Sequence, residues 1–130
     1  MKKKILFFLA DDDVDDQLLF LEALGEIDSS IECMFALNGE DALQKLKGSS
    51  EGLPNYIFLD LNMPRMNGFQ CLSEIKKINN LRDVPVIIYT TSSAKKDVEL
   101  SLQSGAQHFV TKPSSFNDLK AFLNKLINRN

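Results

Sequence analysis

Three short runs in this chain are almost entirely apolar: ILFFLA at 5–10, YIFL at 56–59 and VIIY at 86–89. A strand with one side in water alternates apolar and polar residues. Runs without that alternation therefore indicate strands buried on both faces, as in a parallel sheet. Two weaker runs, at 31–36 and 108–111, bring the number of predicted strands to five.

Segments with apolar residues at helical spacing separate these runs, which predicts five amphipathic helices between and after five strands. The chain of 130 residues then forms one three-layer α/β domain, with helices on both faces of the sheet. Three glycines near the predicted helix ends and two asparagines at helix starts fit C-terminal and N-terminal caps. The apolar sets are Val14, Leu18, Leu21 and Leu24; Ala42, Leu43 and Leu46; Phe69, Leu72, Ile75 and Ile78; Val98 and Leu102; and Phe116, Leu119, Phe122, Leu123 and Leu126; the caps are Gly25, Gly48, Gly105, Asn38 and Asn67.

Composition narrows the class of function. A net charge of -3 argues against a broad basic surface for nucleic acid, and no apolar stretch approaches the length of a membrane span. The only histidine is His108, which leaves little for a histidine metal site or a Ser/His/Asp triad. Cys33 and Cys71 have no CxxC spacing, so we expect both to be reduced, as in a cytoplasmic protein. From the charge and the short apolar runs we expect no nucleic-acid or membrane partner.

Polar side chains follow four of the five predicted strands. Asp11 and Asp12 end the first, Asp60 the third, Thr90 the fourth and Lys112 the fifth. Because the carboxyl ends of parallel strands meet at one edge of a sheet, these residues should converge although they span a hundred positions.

The charges at this edge predict a cation and an anion site. Three carboxylates and one lysine leave a charge of about -2, which a hard divalent cation such as Mg²⁺ would balance. Lys112 and the Thr90 hydroxyl could hold the oxygens of a phosphoryl group on Asp60, with that carboxylate as the nucleophile.

At these motifs the chain resembles the receiver domains of bacterial two-component response regulators, in their stand-alone chemotaxis-type form. The resemblance runs from residue 3 to 126 and includes the acidic pair, DLNMPRMNG at 60–68, the threonine pair after VIIY, and Lys112-Pro113. It implies a flavodoxin-like (β/α)5 sandwich with strand order 2-1-3-4-5. It also implies one receiver domain over 1–130 with no output domain.

The resemblance further implies roles for single residues. Asp60 would accept the phosphoryl group, Asp12 would bind Mg²⁺ directly, Asp11 would bind it mainly through water, and the Asn62 carbonyl would be another ligand. Thr90 and Lys112 would contact phosphoryl oxygens, Phe109 would be the switch aromatic, and the Lys112-Pro113 bond would be cis.

Such a protein catalyses only its own phosphoryl transfer and autodephosphorylation, and signals through protein contacts. Its expected partners are a histidine kinase or phosphotransfer protein and a downstream protein target.

Other interpretations remain open at this point. Asp13, Asp15 and Asp16 fit a solvated helix start. The stretch 11–22 also matches several positions of a calcium-binding EF-hand loop, although Asp16 stands where a glycine is needed. A haloacid-dehalogenase-like phosphatase shares the Asp, Thr, Lys and Mg²⁺ set, and a flavodoxin-like mononucleotide binder shares the fold class.

Overall fold

Strands and helices alternate along the chain as the apolar runs predict. The computed structural model describes residues 4–48 and 52–128, so 49–51 of the predicted loop at 47–55 lie outside the described residues. The strands are β1 (Leu6–Ala10), β2 (Glu32–Ala36), β3 (Tyr56–Leu59), β4 (Val86–Thr90) and β5 (His108–Thr111). The helices are α1 (Val14–Ile27), α2 (Gly39–Gly48), α3 (Gly68–Lys76), α4 (Lys95–Gln103) and α5 (Phe116–Ile127), with a 3₁₀ turn at Asn79–Leu81 that the sequence did not predict.

All strand pairs are parallel, and the sheet has the order β2-β1-β3-β4-β5. This confirms the predicted fold. Every residue of β1 and β4 is buried, because both strands lie inside the sheet and are covered on two faces. The edge strands β2 and β5 are only partly buried, which explains their weaker apolar runs.

Alternate residues of each strand supply two separate cores. On one face, Phe8 belongs to the cluster that includes buried residues of α2 and α3. On the other face, Phe7 packs in a cluster with α1 and α5, where the rings of Phe20 and Phe58 lie 5.0 Å apart, edge to face. Helices therefore cover both sides of the sheet and leave its carboxyl edge open for a site.

The predicted buried face of α1 is wrong at three of its four residues. Val14, Leu18 and Leu21 are exposed, with 54%, 59% and 41% of their surface accessible, whereas Leu24 is buried as predicted. The helix buries Phe20 and Ala23 beside Leu24. Apolar residues surround much of this helix, so helical spacing alone does not select the face that meets the sheet.

Several cap predictions can be judged individually. Gly105 follows α4 with a φ of 107°, and Asn67 caps α3 through a reciprocal capping box with Gln70, so both predictions are confirmed. Gly25 does not end a helix, because α1 continues to Ile27 and closes at Asp28.

The buried side of α4 also differs from the prediction. Leu102, expected to face the core, is 48% exposed because the buried position of α4 is Ser101.

The peptide bond before Pro113 differs from the expectation. The described residues contain no cis peptide bond, so Lys112-Pro113 is trans, contrary to the expectation from the resemblance. Trans is the isomer that an X-Pro bond favours by about 0.5–1 kcal/mol without other constraints. No helix in the described ranges is long and apolar enough to cross a membrane.

Candidate functional site at the carboxyl edge of the sheet

Backbone hydrogen bonds fix the site residues one step beyond their strands. The N–H of Asp11 donates to the Ala36 carbonyl (3.0 Å), and the N–H of Asp60 donates to the Ala10 carbonyl (3.0 Å). The N–H of Lys112 donates to the Thr90 carbonyl (2.7 Å). The sheet ladder thus continues past the strand ends, and this places the predicted side chains together at the same edge.

The ammonium group of Lys112 lies among three carboxylates. Its Nζ is 2.7 Å from Oδ2 of Asp16, 2.8 Å from Oδ2 of Asp11 and 3.1 Å from Oδ2 of Asp60. The ammonium donates hydrogen bonds to Asp16 and Asp60, and its contact with Asp11 is an ion pair. Burial alone would lower the pKa of Lys112, but the contacts with Asp11 and Asp16 outweigh that effect and raise the pKa above its usual range. Lys112 is therefore a firmly held positive charge.

Asp16 is the site residue that the sequence analysis missed. It was assigned to a solvated helix start, and that interpretation is correct only for its backbone, since the N–H groups of Asp15 and Asp16 donate to the Asp13 carboxylate as expected at an N-cap. Its side chain is 31% exposed and contacts Lys112 across 96 positions of sequence. The only available signal was its place in the first turn of α1, four positions after the acidic pair.

The same helix excludes the calcium-loop interpretation. An EF-hand loop is an extended ligand-bearing loop of about 12 residues, whereas α1 begins at Val14 and is preceded by strand β1. The acids of this stretch therefore belong to a strand end and a helix start.

Asp11 is the most buried carboxylate of the site. It has no accessible surface, and its Oδ1 accepts a hydrogen bond from the Asp13 N–H (2.9 Å). Burial raises the pKa of Asp11 to about 6, although the Lys112 ammonium and the Asp13 N–H pull it down. A charged Asp11 thus costs folding free energy that a bound cation would offset.

Asp60 stands at the end of β3 and starts the predicted loop. Its side chain is 8% exposed, and its Oδ1 accepts from the Asn62 N–H (3.2 Å) while Oδ2 faces Lys112. The loop returns tightly, because the Gly68 N–H donates to the Leu61 carbonyl (3.1 Å). A Cβ on Gly68 would come within 2.4 Å of the Asp60 carbonyl oxygen, so only glycine fits there. The DLNMPRMNG stretch is therefore built to hold Asp60 in place.

Three carboxylates could hold a metal ion. Asp11, Asp12 and Asp60 can each offer one oxygen such that all three lie within 4.8 Å of one another. Opposite ligands of an octahedral Mg²⁺ are about 4.2 Å apart, so small side-chain adjustments suffice, and carboxylate oxygens suit a hard cation. Asp12 is exposed and Asp11 is buried, which leaves one side for water ligands. The predicted role of the Asn62 carbonyl stays a prediction.

Thr90 provides an unsatisfied hydroxyl. It is fully buried at the end of β4, and its Oγ1 has no hydrogen-bond partner within the described part of the chain. A buried hydroxyl without a partner costs about 1–3 kcal/mol, so such a group calls for a ligand or a functional explanation. Phe109 is half-buried and packs against the cluster of Phe8, opposite Ile88 in the sheet register. Its switch role stays a prediction.

Comparison with known proteins agrees with this geometry. Residues 7–124 match the family model described as response regulator receiver domain. A curated relative, the probable methanogenesis regulatory protein FilR2 of Methanothrix harundinacea, is 30% identical over 118 residues, which cover 88% of this chain and 76% of FilR2. Another curated relative is matched over only 13% of its length, so related segments also occur inside much longer proteins.

Two solved structures share the fold closely. The phosphorylated cyanobacterial phytochrome response regulator RcpA has a TM-score of 0.87 at 27% identity, with 95% of this chain and 91% of RcpA covered. The Mn²⁺-bound form of response regulator Rcp1 has a TM-score of 0.82 at 29% identity, with 94% and 91% covered.

Proposed function

Because the chain belongs to the response regulator receiver domain family, we propose that it is a phosphorylation switch whose phosphoacceptor is Asp60. The observation that carries the proposal is the convergence of four groups at one sheet edge: an Asp60 carboxylate, a lysine in contact with it, a carboxylate cluster, and the unpartnered Thr90 hydroxyl. Each group matches one requirement of phosphoryl transfer.

The transfer would proceed by nucleophilic attack. A carboxylate oxygen of Asp60 attacks the phosphorus of a phosphohistidine on a histidine kinase or phosphotransfer protein. An O–P bond forms, the N–P bond breaks, and its electron pair returns to the imidazole nitrogen. Lys112 and the Thr90 hydroxyl would donate hydrogen bonds to the phosphoryl oxygens, so the protein would contribute position and charge stabilisation.

Asp11, Asp12 and Asp60, together with the Asn62 carbonyl, would hold Mg²⁺. The ion would supply positive charge beside the transferred group. The carboxylate cluster supports a divalent cation, as does the Mn²⁺-bound form of Rcp1, and Mg²⁺ is the specific choice we propose.

The signal would leave the site through Thr90. Its hydroxyl gains a partner only in the phosphorylated state, which favours a packing in which Thr90 moves inward and Phe109 fills the space. The surface of α4, β5 and α5, including Lys95 and Lys96, would then present a different shape to a downstream protein. In this proposal the chain acts in the cytoplasm as an adaptor or relay through protein contacts, and returns to its resting state by hydrolysis of its own acyl phosphate.

The test is phosphorylation by a small phosphodonor with Mg²⁺. Wild type should incorporate one phosphoryl group per chain and lose incorporation in EDTA. Asp60→Asn should incorporate none while keeping the wild-type circular dichroism spectrum. Asp15→Asn, which removes the same charge from an exposed position, should behave as wild type. Full labelling of Asp60→Asn would overturn the proposal, and sustained turnover of a phosphate ester would favour the phosphatase alternative.

A further inference from the structure

Lys112 has one carboxylate partner that the metal cluster does not use. Asp11 and Asp60 belong to the group of three carboxylates that can meet around a cation, whereas Asp16 does not belong to it. Yet the contact from Lys112 Nζ to Asp16 is the shortest of the three, at 2.7 Å. Asp16 lies in the first turn of α1, so this helix contacts the lysine in addition to the two carboxylates at the strand ends.

This contact occupies a donor that the phosphoryl group would need. The ammonium of Lys112 donates hydrogen bonds to Asp16 (2.7 Å) and Asp60 (3.1 Å), and it lies 2.8 Å from Asp11, whose Oδ2 accepts no hydrogen bond within the described part of the chain. A phosphoryl oxygen that binds the ammonium therefore competes with Asp16 for it. Asp16 also adds one negative charge next to the position that an anionic group would occupy, and like charges at this range repel.

We propose that Asp16 is a positioning residue that sets the balance between the cation and the phosphoryl group by competing for Lys112. The inference rests on the proposed function and extends it to a residue outside the phosphoryl and metal ligands. Asp16 shares the ammonium with Asp11 and Asp60 and so weakens the hold of the lysine on these carboxylates, which leaves them more available for Mg²⁺. The same pull keeps the lysine from the phosphoryl oxygens, which weakens the hold on that group.

The two consequences have opposite signs. In Asp16→Asn, Lys112 has only Asp11 and Asp60 as charged partners, so it competes more strongly with Mg²⁺, and the nearby negative charge that attracts the cation is also lost. Mg²⁺ should therefore bind roughly three- to tenfold more weakly. With Mg²⁺ saturating, an anionic phosphoryl mimic should bind roughly three- to tenfold more tightly, because Asp16 no longer competes for the lysine and its negative charge no longer repels the anion.

The experiment measures both constants on the full chain. Mg²⁺ is titrated by amide chemical shifts, and beryllium fluoride, a tetrahedral mimic of the phosphoryl group, is titrated by calorimetry at saturating Mg²⁺. Asp16→Glu keeps the charge and should restore both values toward wild type. Asp15→Asn is the matched control, because it removes the same charge from the same turn of α1 at an exposed position.

Opposite shifts in Asp16→Asn with neither shift in Asp15→Asn would support the inference. A merely structural role would weaken both ligands together, and that result overturns it. Unchanged constants in Asp16→Asn overturn it as well. If wild type binds beryllium fluoride and Asp60→Asn does not, the proposed function survives either of these failures. If wild type binds none at saturating Mg²⁺, the proposed function falls and the inference falls with it.

Discussion

Replacing Asp11 by asparagine should stabilise the metal-free protein. Burial raises the pKa of this carboxyl from 3.8 to about 6, so at neutral pH the native state carries a charge that its surroundings disfavour. Asparagine has nearly the same shape and keeps an acceptor for the Asp13 N–H, which donates to Oδ1 at 2.9 Å. The variant therefore removes the charge and keeps that hydrogen bond.

The size of the effect follows from linkage. The two pKa values differ by about 2, which corresponds to about 3 kcal/mol of unfolding free energy at pH 7. Part of this gain is lost, because an amide is a weaker partner than a carboxylate for the Lys112 ammonium, which lies 2.8 Å from Oδ2. We therefore expect a net gain in unfolding free energy of about 2 kcal/mol. Because the native pKa is the higher one, native wild type binds more protons between about pH 4 and 6. Wild-type stability therefore falls across this window as the pH rises, and the variant avoids that loss.

Urea unfolding in EDTA at pH 7 and pH 4 measures the gap between variant and wild type. We expect about 2 kcal/mol at pH 7 and less than about 1 kcal/mol at pH 4, where Asp11 is protonated in the native state. Saturating Mg²⁺ should narrow the gap at pH 7, since the ion stabilises wild type more. Asp15→Asn should change stability by less than about 0.5 kcal/mol. A variant that is no more stable at pH 7, or a gap independent of pH, would refute the reasoning.

Four further predictions test other parts of the account. Asp12→Ala should weaken Mg²⁺ binding by roughly tenfold or more, because a sparse site loses one of few protein ligands; an unchanged titration by amide shifts would contradict this. Thr90→Ala should still accept a phosphoryl group on Asp60 but bind its partner as the unphosphorylated form does, which pull-down with the labelled protein would check. Leu24→Ala should cost about 2–5 kcal/mol in urea unfolding, and Leu18→Ala less than about 0.5, because only the first is buried; equal costs would contradict the burial pattern. Gly68→Ala should slow phosphorylation and lower stability by about 1–3 kcal/mol, since its Cβ would meet the Asp60 carbonyl at 2.4 Å; wild-type rates with wild-type stability would contradict this.

The sheet was predictable because burial on two faces leaves a direct trace in sequence. The runs at 56–59 and 108–111 coincide with β3 and β5, and each strand ends where a polar functional residue begins. Parallel topology then brings distant residues to one edge without any knowledge of side-chain contacts. The convergence of Asp11, Asp60 and Lys112 was predictable for that reason.

Helix orientation was less predictable because it depends on tertiary packing. In α1, apolar residues occur on several sides, and the sheet selects Phe20 and Leu24 over Leu18 and Leu21. The side on which α1 lies also decides that Asp16 meets Lys112. Spacing within one segment carries no information on a contact between residues 96 positions apart. The third partner of the lysine therefore required the structure.

The most direct measurement identifies the phosphorylated residue itself. The protein is phosphorylated by a small phosphodonor with Mg²⁺ and reduced with borohydride, which converts an aspartyl phosphate to homoserine, and peptides are then sequenced by mass spectrometry. The account predicts homoserine at position 60 and at no other aspartate, with none in Asp60→Asn. Homoserine at Asp11, Asp12 or Asp16, or stoichiometric phosphorylation without conversion of Asp60, would contradict it.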